Sequence, residues 1–253
     1  MNFTPKDRYT MDDLVEIMRL LRQPDGCPWD RVQTHESIRR NMIEEAYEAV
    51  DAIDRGDKAG MQEELGDVLM QVVFHAQLER EQGGFTFDDV VDGVCKKLVF
   101  RHPHVFGDRR ADGAGSALSV WEAQKKIEKS QSSQTDSMRS VPRMFPALIR
   151  AAKLQEKAAR SGMDWQTADQ ALDAVQAALD ALRAHPANAA QSCGALLFAA
   201  VGAARKLQVE PEHALADAGD AFIDGFSQIE TACKSEPIAS ADPMQLLHRG
   251  EKE

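Results

Sequence analysis

Apolar residues recur at helical spacing along almost the whole chain. Leu14, Ile17, Met18 and Leu21 are three and four apart, the period of a helix with one buried face, and Thr10 or Asp12 stands where a cap belongs. Residues 23–30 hold two prolines and a glycine and read as a loop. A second helix is expected over 34–55, with Met42, Ala46, Ala49 and Ile53 as its apolar stripe. A third is expected over 58–82, with Met61, Leu65, Leu69, Val72 and Ala76, ended by Gly83-Gly84. A fourth covers 87–100, an extended turn 101–106 and a short helix 121–129. Residues 130–140, rich in Ser and Gln, have linker chemistry and mark a domain boundary. Helices over 146–161, 167–184, 189–208 and 212–233 follow, then a loosely ordered tail from Lys234. Runs of alternating β-branched residues are absent, so the fold class is all-α.

A chain of 253 residues has room for one large core or two smaller ones. Its 43% hydrophobic and 28% charged residues are ordinary for a soluble globular protein. A formal net charge of -11 argues against a nucleic-acid polymer or a membrane as partner. A phosphorylated small molecule stays open, because a bound cation inverts the local field. Cys27, Cys95, Cys193 and Cys233 lie far apart with no CxxC pair, which speaks against a disulfide framework or zinc site and for a reducing, cytoplasmic location. The first ten residues carry no apolar signal region, and no apolar run approaches the roughly 20 residues of a membrane span.

The chemistry gathers in two short acidic clusters, Glu44-Glu45-Ala46-Tyr47-Glu48 and Glu63-Glu64-Leu65-Gly66-Asp67, on either side of the helix break Arg55-Gly56-Asp57. Glu48 is eight residues before Gly56 and Glu64 eight after; Glu45 is eleven before and Asp67 eleven after. If the chain folds back at Gly56, Glu48 is level with Glu64 and Glu45 with Asp67, on one face of the hairpin. Four converging carboxylates repel one another unless something positive sits among them, and the simplest such partner is a hard divalent cation, above all Mg²⁺. A solvated acidic face is the ordinary meaning of surface glutamates. A di-iron site would want Glu-x-x-His on facing helices, and neither cluster has that histidine; His75 reads as packed or hydrogen-bonded.

An internal repeat sharpens this reading. Gly162-Met163-Asp164-Trp165 echoes Gly26-Cys27-Pro28-Trp29, and the run from Cys193 to Phe198 echoes that from Leu65 to Met70. Opposite Glu64 and Asp67 stand Ser192 and Ala195; opposite Glu44, Glu45 and Glu48 stand, with a short gap, Ala177, Ala178 and Ala181. Lys97 and Arg101, which share a helix face at i, i+4 and could meet phosphate, correspond to Ala221 and Gly225. Acid and base are lost together in the second half. Trp29, whose partner Trp165 persists there, reads as a packing residue. Trp121 beside Lys125 could stack a base and contact phosphate, or could be an interface or core tryptophan. His102-Pro103-His104 has no third ligand and reads as a turn that seats Val105 and Phe106.

EExxE at Glu44–Glu48 followed by ExxD at Glu64–Asp67 resembles the MazG-type nucleoside triphosphate pyrophosphohydrolases. The supporting segments, in order, are GCPWD from Gly26, ELGDVLMQVVFHAQ from Glu64, KLVFRHPHVF from Lys97 and WEAQKK from Trp121. The resemblance is dense over residues 11–130 and thinner over 141–232. It implies two tandem helical-hairpin domains, a catalytic one over 1–130 and a degenerate one over 141–233, pairing into bundles in a homodimer. It further implies Mg²⁺-dependent hydrolysis, with Mn²⁺ as a substitute, of nucleoside triphosphates to monophosphate and pyrophosphate. Carried over, Glu45, Glu48, Glu64 and Asp67 are metal ligands, Glu44 supports them or positions water, and Lys97 and Arg101 contact phosphates. Activity must then come from the first half. The competing reading is a nucleotide-binding regulatory scaffold with weak catalysis.

Overall fold

The structure is a computed structural model that describes residues 3–128 and 133–232. Among those residues it is all-α, with no strand. The chain divides into two compact units, Met1–Lys125 and Lys126–Glu253.

In the first unit, α1 (Met11–Leu21) starts at Thr10, whose side chain caps the Asp13 N–H while Asp13 returns the bond, a reciprocal arrangement that satisfies two orphan donors. The expected loop contains a one-turn helix, α2 (Pro28–Arg31), with Pro28 at its first position. The expected second helix is divided: α3 (His35–Ile38) is followed by a turn at Arg39-Arg40 and then α4 (Asn41–Asp54). α5 (Lys58–Glu81) begins at Asp57, whose carboxylate accepts from the N–H groups of Ala59 and Gly60. Gly56 turns the chain between α4 and α5 with φ +66, a left-handed conformation that a side chain would penalise.

The core of this unit is Met18, Ile38, Val73, Phe74 and Leu78, with Leu14, Val15, Met70 and Phe87 packed around it. It therefore lies where the second half of α5 meets α1 and α3. α4 packs along α5, and burial corrects the expected stripes: Ala49 and Ala52 are the buried residues of α4, while Ile53 and Leu65 are more than half exposed. α6 (Phe87–Arg101) follows, capped by Thr86. Residues expected as an extended turn form a short helix, α7 (Pro103–Phe106), because Pro103 sits at a first helical position where its missing N–H costs nothing. α8 (Ala114–Glu128) is longer than the short helix expected there.

The second unit opens with α9 (Gln134–Arg139), inside the stretch read as linker; Ser133 and Asp136 form a capping box that outweighs the serine-rich composition. α10 (Ala147–Ala159), α11 (Ala168–Ala184), α12 (Ala189–Lys206) and α13 (Pro211–Ala232) complete it. α11 and α12 form a paired hairpin like that of α4 and α5. Asp164 bridges Arg205 and Lys206, which hold its carboxyl down at about 2. Cys233 and the tail from Lys234 lie outside the described residues. No helix among the described residues is long and apolar enough to cross a membrane.

The two tryptophans of the repeat differ. Trp29 is 58% exposed, against the packing role expected of it. Trp165 is half-buried against Gly202 of α12. In the repeat register Gly202 occupies the place of Phe74, so the second unit fills with its tryptophan the space that the first fills with phenylalanine. A Cβ on Gly202 would stand 2.7 Å from Trp165 Cη2. Gly202→Ala is expected to destabilise this unit by about 1–3 kcal/mol through overpacking, read as a lowered urea midpoint.

Candidate functional site: a carboxylate cluster on a helical hairpin

The turn at Gly56 brings the acidic faces of α4 and α5 together. Glu45, Glu48 and Glu64 each offer a carboxylate oxygen, and these oxygens lie within 4.8 Å of one another. Asp67 is near enough for its charge to act on both Glu45 and Glu64. Glu44 is exposed and ion-paired to Arg40 at 2.6 Å, the residue that precedes α4, so it stands at the edge of the cluster.

The electrostatics are those of an unrelieved acidic site. Partial burial raises the pKa of Glu45, and the charges of Asp67 and Glu48 raise it further, while the Gln71 side chain pulls it back. Glu64 is raised for the same leading reason, with Glu48, Glu63 and Asp67 adding to it. Oxygen donors this close, with mutual repulsion that a cation would cancel, suit a hard divalent ion. The donor set therefore fits a hard divalent cation.

The remaining candidates are placed differently. Lys97 is exposed on α6. Arg101 is 7% exposed, with its guanidinium 5.1 Å from the centre of the Trp121 ring. The Lys125 ammonium lies 4.7 Å from the same ring. The residues read separately as phosphate and base contacts thus include one stack, Arg101–Trp121–Lys125, joining the end of α6 to α8 through cation–π contacts. The His102 and His104 rings are tilted against each other, 5.6 Å apart.

Two features of this unit were missed in the sequence. Gln71 is one, buried on α5 with its Oε1 unpartnered; its signal was its place one turn beyond Asp67 on the acidic face. The other is a histidine pair: the rings of His35 and His75 are parallel, with Nδ1 atoms 2.7 Å apart, and His35 Nε2 lies 3.0 Å from Glu79. Burial, and then His35, lower the pKa of His75. Nothing in the local sequence around His35 pointed across to α5.

A hairpin of antiparallel helices carrying a four-carboxylate face defines a helical protein with an acidic, cation-type site. Comparison with known proteins narrows the class. Residues 33–106 match the MazG nucleotide pyrophosphohydrolase domain. The chain is 42% identical over 239 residues to the nucleoside triphosphate pyrophosphohydrolase/pyrophosphatase MazG of Thermotoga maritima, covering 93% of this chain and 92% of that one. It is 40% identical over 228 residues to the nucleoside triphosphate pyrophosphohydrolase of Escherichia coli K12, covering 87% of each. It is also 44% identical to the uncharacterized protein YabN of Bacillus subtilis, over 89% of this chain and 47% of that protein. The chain belongs to the MazG nucleotide pyrophosphohydrolase family.

Proposed function

We propose that this chain hydrolyses nucleoside triphosphates between the α and β phosphates, giving the monophosphate and pyrophosphate, at the α4–α5 hairpin. The observation that carries the reading is the convergence of Glu45, Glu48 and Glu64 in a chain that resembles named pyrophosphohydrolases over most of its length. Glu45, Glu48, Glu64 and Asp67 would hold the metal, Mg²⁺ with Mn²⁺ as substitute, which would supply positive charge to the phosphate oxygens and acidify a nearby water. Glu44 orients the attacking water, and a carboxylate of the cluster accepts its proton. Lys97 and Arg101 meet the developing charge on the leaving pyrophosphate. Trp121 serves first to hold Arg101; a base stacks on it only where Arg101 or Lys125 gives up its place on the ring.

The same reading assigns residues 1–130 as the catalytic domain, 131–140 as linker and 141–233 as a degenerate repeat, with 234–253 as a tail. The working form is a cytoplasmic homodimer. Exposed Ile43, Tyr47 and Val50 on α4 and Val91, Val94 and Leu98 on α6 support helix pairing between copies. The stripped second unit favours one alternative, a regulatory scaffold that binds nucleotide and turns it over weakly.

Pyrophosphate and phosphate release from a panel of nucleoside triphosphates, with Mg²⁺ and with chelator, tests the function. Mg²⁺-dependent pyrophosphate with a matching monophosphate is expected. Nucleotide binding without turnover would leave the scaffold as the correct reading.

A further inference from the structure

The histidine pair of the first unit opens on a cavity of about 440 Å³ where α3, α4, α5 and α6 meet. Met42 of α4, Phe85 just before α6 and Val90 on α6 form apolar walls, and His35, His75 and Glu79 supply the polar side. The two imidazoles are parallel to within 1°, and their Nδ1 atoms are 2.7 Å apart. A ring nitrogen donates or accepts in the plane of its own ring. Parallel rings joined Nδ1 to Nδ1 therefore lie end to end in one plane, with their centres 5.0 Å apart. The pair is a flat aromatic surface two rings long. Glu79 stands at its outer end, 3.0 Å from His35 Nε2.

This cavity adjoins the carboxylate cluster along the same hairpin. Met42 is three residues before Glu45 on α4, one turn away on the same side. On α5, His75 is eight residues beyond Asp67, about 12 Å at the rise of a helix. A nucleotide held at the carboxylates by its phosphates can lay its ribose and base along that distance. The internal repeat associates the two places. In the register that sets Glu45 against Ala178, His35 falls on Ala168 and Met42 on Val175. In the register that sets Asp67 against Ala195, His75 falls on Ala203 and Glu79 on Leu207. The half that lacks the cluster also lacks both imidazoles and their carboxylate, while the wall residue stays apolar.

We propose that this cavity is the base subsite of the α4–α5 site: a purine stacks on the plane of His35 and His75 between the apolar walls, with Glu79 at the edge to accept from a base N–H. Two fused rings match the length of the imidazole pair, which a pyrimidine would half cover. Stacking accepts adenine and guanine alike, because each presents a π face. The inference rests on the function proposed above and names the part of the substrate that the hairpin would select.

The test is calorimetric titration of the full chain in Mg²⁺ with the α,β-methylene analogues of ATP, GTP, CTP and UTP, whose α–β bridge resists hydrolysis, and with inorganic tripolyphosphate, which has no base. The parent chain is expected to bind the two purine analogues about tenfold more tightly than the pyrimidine ones, the scale of one base–aromatic stack. His35→Leu removes half of the plane. Val90→Phe fills the cavity from α6 and leaves both imidazoles in place. Each should bring purine affinity down to the pyrimidine level and leave tripolyphosphate affinity as in the parent, a split that a purely structural histidine pair would not give. Equal binding of all four analogues by the parent, purine affinity kept in either variant, or tripolyphosphate affinity lost in step with purine affinity overturns the base subsite alone. A parent chain that binds neither tripolyphosphate nor any analogue in Mg²⁺ overturns the reading of the hairpin with it.

Discussion

Glu48→Gln is expected to lower pyrophosphate release by about 10²–10³-fold, the usual effect of removing one group that stabilises transition-state charge, and to leave the helical fold intact. Both halves of this expectation come from where Glu48 sits. Its carboxylate is one of the three that meet within 4.8 Å, yet the side chain itself is exposed on α4. It contributes charge to the site and no packing to the core. Among neighbouring charges, Glu48 disfavours ionised Glu64 most, so its neutralisation relieves repulsion rather than creating a cavity. Thermal stability without metal should therefore be equal to or above that of the parent chain. Asp67→Asn should behave alike. Pyrophosphate release at the parental rate in both variants would sink the assignment of this hairpin as the catalytic site, whatever their far-ultraviolet circular dichroism.

The second large effect is a stability that depends on pH only when metal is withheld. Glu45 and Glu64 have pKa values raised above 4.5 in the folded chain, chiefly by desolvation and then by their neighbours' charges. The folded state therefore holds these protons more tightly than the unfolded state does. Their favourable contribution is present below the unfolded pKa and is lost as pH rises through the folded values. In EDTA, and in a His75→Gln background that removes the opposing contribution of that lowered histidine, the urea midpoint of the first unit should fall from pH 5 upward until both groups are ionised, then level off. Asp164 titrates on the opposite side: its carboxyl, held at about 2, loses its contribution only as pH falls below 3.8. It leaves the interval above pH 5 undisturbed. Mg²⁺ should abolish the fall by supplying the missing charge. At a hundredfold excess over its dissociation constant it should add about 2.7 kcal/mol. A midpoint that rises with pH in EDTA over this interval, or that ignores Mg²⁺ near neutrality, would show that the carboxylates do not face one another as described.

Local signals in the sequence were reliable where one residue type has one physical use. Thr10, one of the two residues read as a cap, caps α1. Gly56 turns the hairpin because the turn requires its left-handed backbone. The acidic register followed from counting outward from that glycine, and the structure brings Glu45, Glu48 and Glu64 together as the count implies. What escaped depended on partners distant in sequence. Ile53 and Leu65 have the spacing of core residues, but the core of this unit gathers further along α5, at Val73, Phe74 and Leu78, and both are more than half exposed. Arg101 shares a helix face with exposed Lys97; it is buried, and its guanidinium lies over Trp121, twenty residues later. His35 and His75, forty residues apart, are joined by the docking of α3 on α5. Ser133 carried a legible capping signal, obscured by the serines around it.

The short connection between α4 and α5 has a consequence for how this lineage can change. Residues 55–57 alone separate the two helices, and each residue added there would turn α5 by about 100° about its axis, carrying Glu64 and Asp67 away from Glu45 and Glu48. The turn acts as a phase lock, so the first unit tolerates substitution in this connection far better than insertion or deletion. The corresponding connection in the second unit, residues 185–188, is one residue longer and includes a 3₁₀ turn over Pro186–Asn188. With no carboxylates left to keep in phase, that hairpin was free to drift in length as well as in composition.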